Sequence, residues 1–163
     1  MTEKTLLNGK RILLVDDERD VLDSLEALLP MCHTVKADNF DQAKKLLETE
    51  YYDVAILDIM GVNGYELLEI ANRKSALTVM LTARALSPEH MIKSYKRGAA
   101  SYLPKEEMQN ITLFLNDILE AKEKGKNLWL KWMARLEVYW NKKFGHDWRK
   151  GDRDFWSQFP DYE

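Results

Sequence analysis

The chain has 163 residues, 45% of them apolar and 31% charged, which suits one domain with a proper core plus a small appendage and excludes disordered and collagen-like classes. The net charge of −3 hides an asymmetry: residues 1–121 hold 14 Lys/Arg against 20 Asp/Glu, and residues 122–163 hold 10 against 7, too mild a basic bias to argue for nucleic-acid binding. The single cysteine, Cys32, excludes an intrachain disulfide, the start is polar, and no apolar run reaches the ~20 residues of a membrane helix, so the expectation is a soluble cytoplasmic protein.

In chain order, the apolar run Ile12-Leu13-Leu14-Val15 comes first and ends on Asp16-Asp17. Val21, Leu22, Leu25, Leu28 and Leu29 then recur at helical steps, followed by a weaker strand around Thr34-Val35-Lys36-Ala37 and a helix carrying Ala43, Leu46 and Leu47 after Asp41. The run Val54-Ala55-Ile56-Leu57 ends on Asp58, and Leu67, Leu68 and Ala71 follow Gly64 at helical spacing. Val79-Met80-Leu81 ends on Thr82, and Met91, Ile92 and Tyr95 follow Pro88. Tyr102-Leu103-Pro104 ends on Lys105, before a fifth helical pattern of Ile111, Phe114, Leu115, Ile118 and Leu119. Strands alternating with helices of about ten residues predict parallel βαβ units in a (βα)₅ count, an α/β fold with a doubly wound sheet.

Gly125 marks the predicted boundary between a domain over 9–124 and an aromatic-rich helical extension over 126–163. In the extension Leu128, Trp129, Trp132, Met133, Leu136, Tyr139, Trp140 and Phe144 recur at helical spacing, and Gly145 supplies a left-handed stop. All five tryptophans (129, 132, 140, 148, 156) lie there. The spacing predicts a helix whose apolar stripe is buried against its own domain or a second copy; a docking surface for a partner is the sharper alternative.

Apolar runs without strict alternation suit strands buried on both faces, whose carboxyl ends open onto one crevice. Asp16, Asp17, Asp58, Thr82 and Lys105 are thereby expected to converge. A hard divalent ion such as Mg²⁺ takes oxygen ligands, so Asp17 and Asp58 are the expected direct ligands, Asp16 acts through water, and the Met60 backbone carbonyl adds another oxygen. Crowded carboxylates raise one another's pKa, and a bound cation keeps Asp58 ionised and nucleophilic. Lys105 then neutralises phosphoryl oxygens while the Thr82 hydroxyl donates to one of them, with the small Ala83 leaving room. His33, His90 and His146 show no metal-ligand spacing and are expected at the surface, and Cys32 is expected to be a small buried side chain.

Taken together, Asp16-Asp17, Asp58, Thr82-Ala83, Gly98-Ala99 and Tyr102-Leu103-Pro104-Lys105 resemble the receiver domain of bacterial two-component response regulators, over about residues 9–124. The resemblance implies strand order 2-1-3-4-5. It also implies that Asp58 accepts a phosphoryl group from a histidine kinase or phosphotransfer protein, and that Thr82 and Tyr102 form a switch pair. The switch would remodel the face made by the fourth helix, fifth strand and fifth helix, altering self-association or contact with a downstream protein through that face or the tail. Two departures stand out. The stretch Asp58-Ile59-Met60-Gly61-Val62-Asn63-Gly64 lacks the family's Met-Pro pair and is shorter, and Lys105 is followed by Glu106 where the family commonly has proline, so a cis peptide is not assumed there.

The reading is of a phospho-acceptor that catalyses only its own phosphorylation and dephosphorylation. Two alternatives are weighed against it. A phosphatase of the haloacid dehalogenase type places an acid two residues after its nucleophile, a position held here by Met60. A DNA-binding regulator with a minimal helical output is opposed by the tail's tryptophan density and modest charge.

Overall fold

The computed structural model describes residues 6–83 and 88–129, and beyond them residues 132, 135, 137, 139, 141, 142, 145 and 153–156. Five strands, β1 (Arg11–Val15), β2 (His33–Ala37), β3 (Val54–Asp58), β4 (Leu77–Thr82) and β5 (Ser101–Pro104), form one parallel sheet in the order β2-β1-β3-β4-β5. The helices between and after them are α1 (Arg19–Leu28), α2 (Phe40–Thr49), α3 (Gly64–Arg73), α4 (Pro88–Lys96) and α5 (Ile111–Glu123). The (βα)₅ reading and the strand order that the resemblance implied are both present.

The central strands are buried almost throughout, β3 at all five positions and β1 at four of five, because helices cover both faces of a parallel sheet. Each helix contributes the stripe that its spacing predicted: Val21, Leu22 and Leu25 in α1, Ala43 and Leu47 in α2, Leu67, Leu68 and Ala71 in α3. Local chemistry fixes the starts. Asn39 caps α2 by accepting the Gln42 N–H at 2.9 Å. Asn63, in the left-handed region at φ 54°, turns the chain into α3.

Several features were not anticipated. A 3₁₀ turn over Lys105–Asn110 separates β5 from α5. His90 is half-buried, its ring 6.5 Å from that of Tyr65, although a surface position was expected. Cys32 is half-buried and donates to the Leu7 carbonyl at 3.4 Å, burial pushing its thiol pKa up. His146 lies outside the described residues, and no peptide bond among those described is cis.

The described residues 132, 135, 137, 139, 141 and 142 are helical, and Gly145 is left-handed at φ +83°, its N–H on the Asn141 carbonyl. Met133, Leu136, Trp140 and Phe144 lie outside the described residues. Trp132, Arg135 and Tyr139 are spaced to share one helix face, and all three touch the domain before Gly125. The expected burial of the tail against its own domain is what these residues show.

Among the described residues no helix is long and apolar enough to cross a membrane.

Candidate functional site

The carboxyl ends of β1, β3 and β5 deliver Asp16, Asp58 and Lys105 to one crevice, as the parallel register requires: Val15 pairs with Leu57 and Thr82 with Pro104. Asp16 is fully buried and Asp58 only 5% exposed, whereas Asp17 is exposed at the rim. The Lys105 ammonium lies 2.9 Å from Asp16 Oδ2, 3.7 Å from Asp58 Oδ1 and 3.7 Å from Glu18 Oε1. One cation thus bridges the two buried carboxylates. Asp16 Oδ1 is held by the Glu18 N–H at 2.9 Å, which fixes it at the entry to α1.

Two glycines let the loop after β3 close on this cluster. Gly61 donates its N–H to Asp58 Oδ2 at 3.3 Å, and a Cβ on it would lie 2.5 Å from Asp17 Cγ. A Cβ on Gly64 would lie 2.3 Å from the Asp58 carbonyl oxygen. The short loop without proline is therefore built by close backbone approach. The exposed Met60 side chain, at 71%, leaves the crevice to the backbone there.

The electrostatics follow from this crowding. Burial first, then the charges of Asp16 and Asp17, raise Asp58 to about 6, against the lowering pull of Lys105 and the Gly61 N–H. Burial also raises Asp16, although its hydrogen bond to Lys105 opposes the shift. Burial works to lower Lys105, and the hydrogen bond to Asp16 and the surrounding carboxylates outweigh it, so its pKa is raised. One ammonium cannot neutralise this many acids. The oxygen-only donor set and its excess negative charge fit a hard divalent cation, with carboxylates of Asp16, Asp17 and Asp58 available to hold it.

The carboxylate oxygens of Asp16, Asp17 and Glu18 fall within 4.8 Å of one another. Glu18 was not singled out in the sequence, although a third consecutive acid after the first apolar run is a visible signal. Thr82 is buried at the end of β4, 2% exposed, and Ala83 is exposed beside it. Tyr102 is fully buried on β5, opposite Met80. Its carbonyl accepts the Trp132 indole N–H at 2.5 Å, a tail contact that the sequence did not foretell.

A sequence model of the response regulator receiver domain matches residues 12–115. The Arabidopsis thaliana two-component response regulator ARR10 is 32% identical over 113 residues, which are 63% of this chain and 20% of that protein. The chain thus spans about a fifth of the length of that relative. A CheY-like response regulator receiver domain protein from Methanospirillum hungatei superposes with a TM-score of 0.65 at 28% identity, covering 72% of this chain and 99% of the other. A Burkholderia pseudomallei response regulator whose crystal structure carries a phosphorylated aspartic acid and a calcium ion shares the fold, with a TM-score of 0.57 at 24% identity over 71% of this chain and 73% of its own. The sheet order, the acidic crevice and the matched sequence lead to one conclusion: the chain belongs to the response regulator receiver domain family of two-component signalling.

Proposed function

We propose that Asp58 is the phospho-acceptor of this receiver and that Asp16, Asp17, Thr82 and Lys105 serve its phosphorylation. The observation that carries the reading is the buried Asp58 carboxylate, fixed by the Gly61 N–H and sharing Lys105 with Asp16. An Asp58 oxygen attacks the phosphorus of a phosphohistidine on a histidine kinase or phosphotransfer protein. The new O–P bond forms as the P–N bond breaks, and the released imidazole takes up a proton. Phosphoryl transfer rests mainly on positioning and charge neutralisation, which Lys105 supplies as a point charge and Thr82 as a hydroxyl donor. Mg²⁺ held by Asp16, Asp17, Asp58 and the Met60 carbonyl, when bound, neutralises charge on the transferring group. Thr82 and Tyr102 report the modified state along β4 and β5. The protein acts as a signalling phospho-acceptor and not as a turnover enzyme.

The test is labelling of the intact chain by acetyl phosphate with Mg²⁺, followed by mass spectrometry. One phosphate per chain is expected in the wild type and none in Asp58→Asn. Undiminished labelling of Asp58→Asn would remove Asp58 from the role.

A further inference from the structure

The segment after Gly125 is attached to the same short stretch that carries Lys105. The Trp132 indole N–H donates to the Tyr102 carbonyl at 2.5 Å, and the Tyr139 hydroxyl donates to Glu106 Oε1. These two contacts bracket Leu103, Pro104 and Lys105. Around them the Trp129 indole N–H donates to the Ala99 carbonyl at 2.8 Å, and Arg135 bonds Asp117 on α5 at 2.5 and 3.3 Å. Trp129 and Phe155 also meet the Tyr95 ring of α4 edge to face, with centroids 5.3 and 5.2 Å away. The seated segment therefore spans α4, β5 and α5. Between its two anchors, Lys105 is held 2.9 Å from Asp16 and 3.7 Å from Asp58.

We propose that this aromatic segment is an intramolecular lock: it holds Lys105 on Asp16, and filling the Asp58 site with a phosphoryl group unseats it. The inference rests on Asp58 being the phospho-acceptor. A phosphoryl group adds three charged oxygens where Lys105 now bridges two carboxylates. Their charge draws the ammonium from Asp16 toward Asp58, and any accompanying shift of residues 103–105 works against the anchors at Tyr102 and Glu106. Linkage makes the effect reciprocal: an occupied Asp58 weakens the seating of the segment, and a weakened seating tightens binding at Asp58. The released segment would leave the β5 edge and the adjoining faces of α4 and α5 open.

All five tryptophans lie after Gly125, so their emission reports the segment. The intact chain is titrated with beryllofluoride in Mg²⁺. Fluorine NMR reports binding at the carboxylate, while acrylamide quenching of tryptophan and hydrogen exchange of residues 99–106 report the seating. The expected result is that binding makes the tryptophans more quenchable and speeds exchange in β5, with both changes absent in Asp58→Asn. Tyr139→Phe and Trp132→Phe each keep a ring and lose one anchor, and should bind beryllofluoride up to about fivefold more tightly, the factor that one hydrogen bond can shift a closed equilibrium. Bound fluorine signal with unchanged quenching and exchange would overturn the lock and leave the acceptor assignment standing. Unaltered affinity in both variants would also overturn it. Absence of any bound fluorine signal would overturn the acceptor reading and the lock together.

Discussion

The two edges of the sheet are protected in different ways. β2 is half-exposed along most of its length, and the Lys36 ammonium on it lies 3.2 Å from Asp23 and 3.2 Å from Glu26. A charged residue on an open edge discourages pairing with another chain while leaving the strand in water. β5, the opposite edge, is buried at all four positions, and indoles of the tail lie along it, donating to the Tyr102 carbonyl on the strand and to the Ala99 carbonyl just before it. The guarded edge is fixed in the sequence of the strand itself, whereas the covered edge depends on a separate segment. A cover can be withdrawn, and it lies on the strand that leads to Lys105.

The largest effect should come from breaking the cover. Trp132, 2% exposed, is among the largest fully buried side chains described. Trp132→Ala removes its burial and leaves the Tyr102 carbonyl without the indole, so a loss of about 3–5 kcal/mol is expected. Urea denaturation gives the magnitude, and hydrogen exchange should show the loss concentrated in β5, with β2 near its wild-type rate. Equal acceleration at both edges would mean that Trp132 supports the whole core and is not a cover for one edge.

A change in the crevice between the edges should act in the opposite direction. Burial, with the charges of Asp16 and Asp17, pushes Asp58 up to about 6 in the folded chain against 3.8 as a reference, so between these values the folded state keeps a proton that the unfolded state has released. The contribution of Asp58 to stability therefore falls as pH rises from about 4 to about 6 and then levels off. Asp58→Asn removes that fall and should be more stable than wild type by ~1–2 kcal/mol at pH 7, a figure reduced for solvent at the crevice mouth. Denaturation at pH 4.5 and pH 7 checks it: the variant's advantage should be present at the higher pH and shrink at the lower. Added Mg²⁺ should stabilise wild type at pH 7 and narrow the gap, because a ligand that binds only the folded state shifts the equilibrium toward it.

The contrast between the edges also explains what the sequence revealed and what it did not. Four apolar runs disclosed β1, β3, β4 and β5 because those strands are buried nearly throughout, whereas the half-exposed β2 gave the weaker signal, and Asp16, Asp58, Thr82 and Lys105 were legible as residues that end those four runs. The tail's helical spacing showed that it had an apolar face. Spacing along one segment carries no information about which surface that face meets, so the contacts of Trp132 with Tyr102 and of Tyr139 with Glu106 were hidden. Glu18 is hidden for a different reason: acids near the start of a helix are common, and its nearness to Asp16, Asp17 and Lys105 is visible only in space. The close approach of Gly61 to Asp17 and of Gly64 to Asp58 likewise depends on a backbone path that residue types alone do not specify.

A smaller break at the covered edge is Tyr139→Phe. It keeps the ring and removes the hydrogen bond to Glu106, which should cost about 1 kcal/mol in denaturation. The smallest effect is expected at the guarded edge. Lys36 reaches Asp23 and Glu26 through solvent-screened contacts whose attraction is offset by the entropy of ordering long side chains. Lys36→Ala should leave the denaturation midpoint near that of wild type, and any difference should vanish at high salt. Its consequence should appear in association instead, since the open edge loses the charge that opposes strand pairing. Light scattering at increasing protein concentration tests this: more self-association in Lys36→Ala than in wild type is expected, with the stability unchanged. A marked stability loss without self-association would make Lys36 a structural strut and would erase the distinction between a guarded edge and a covered one.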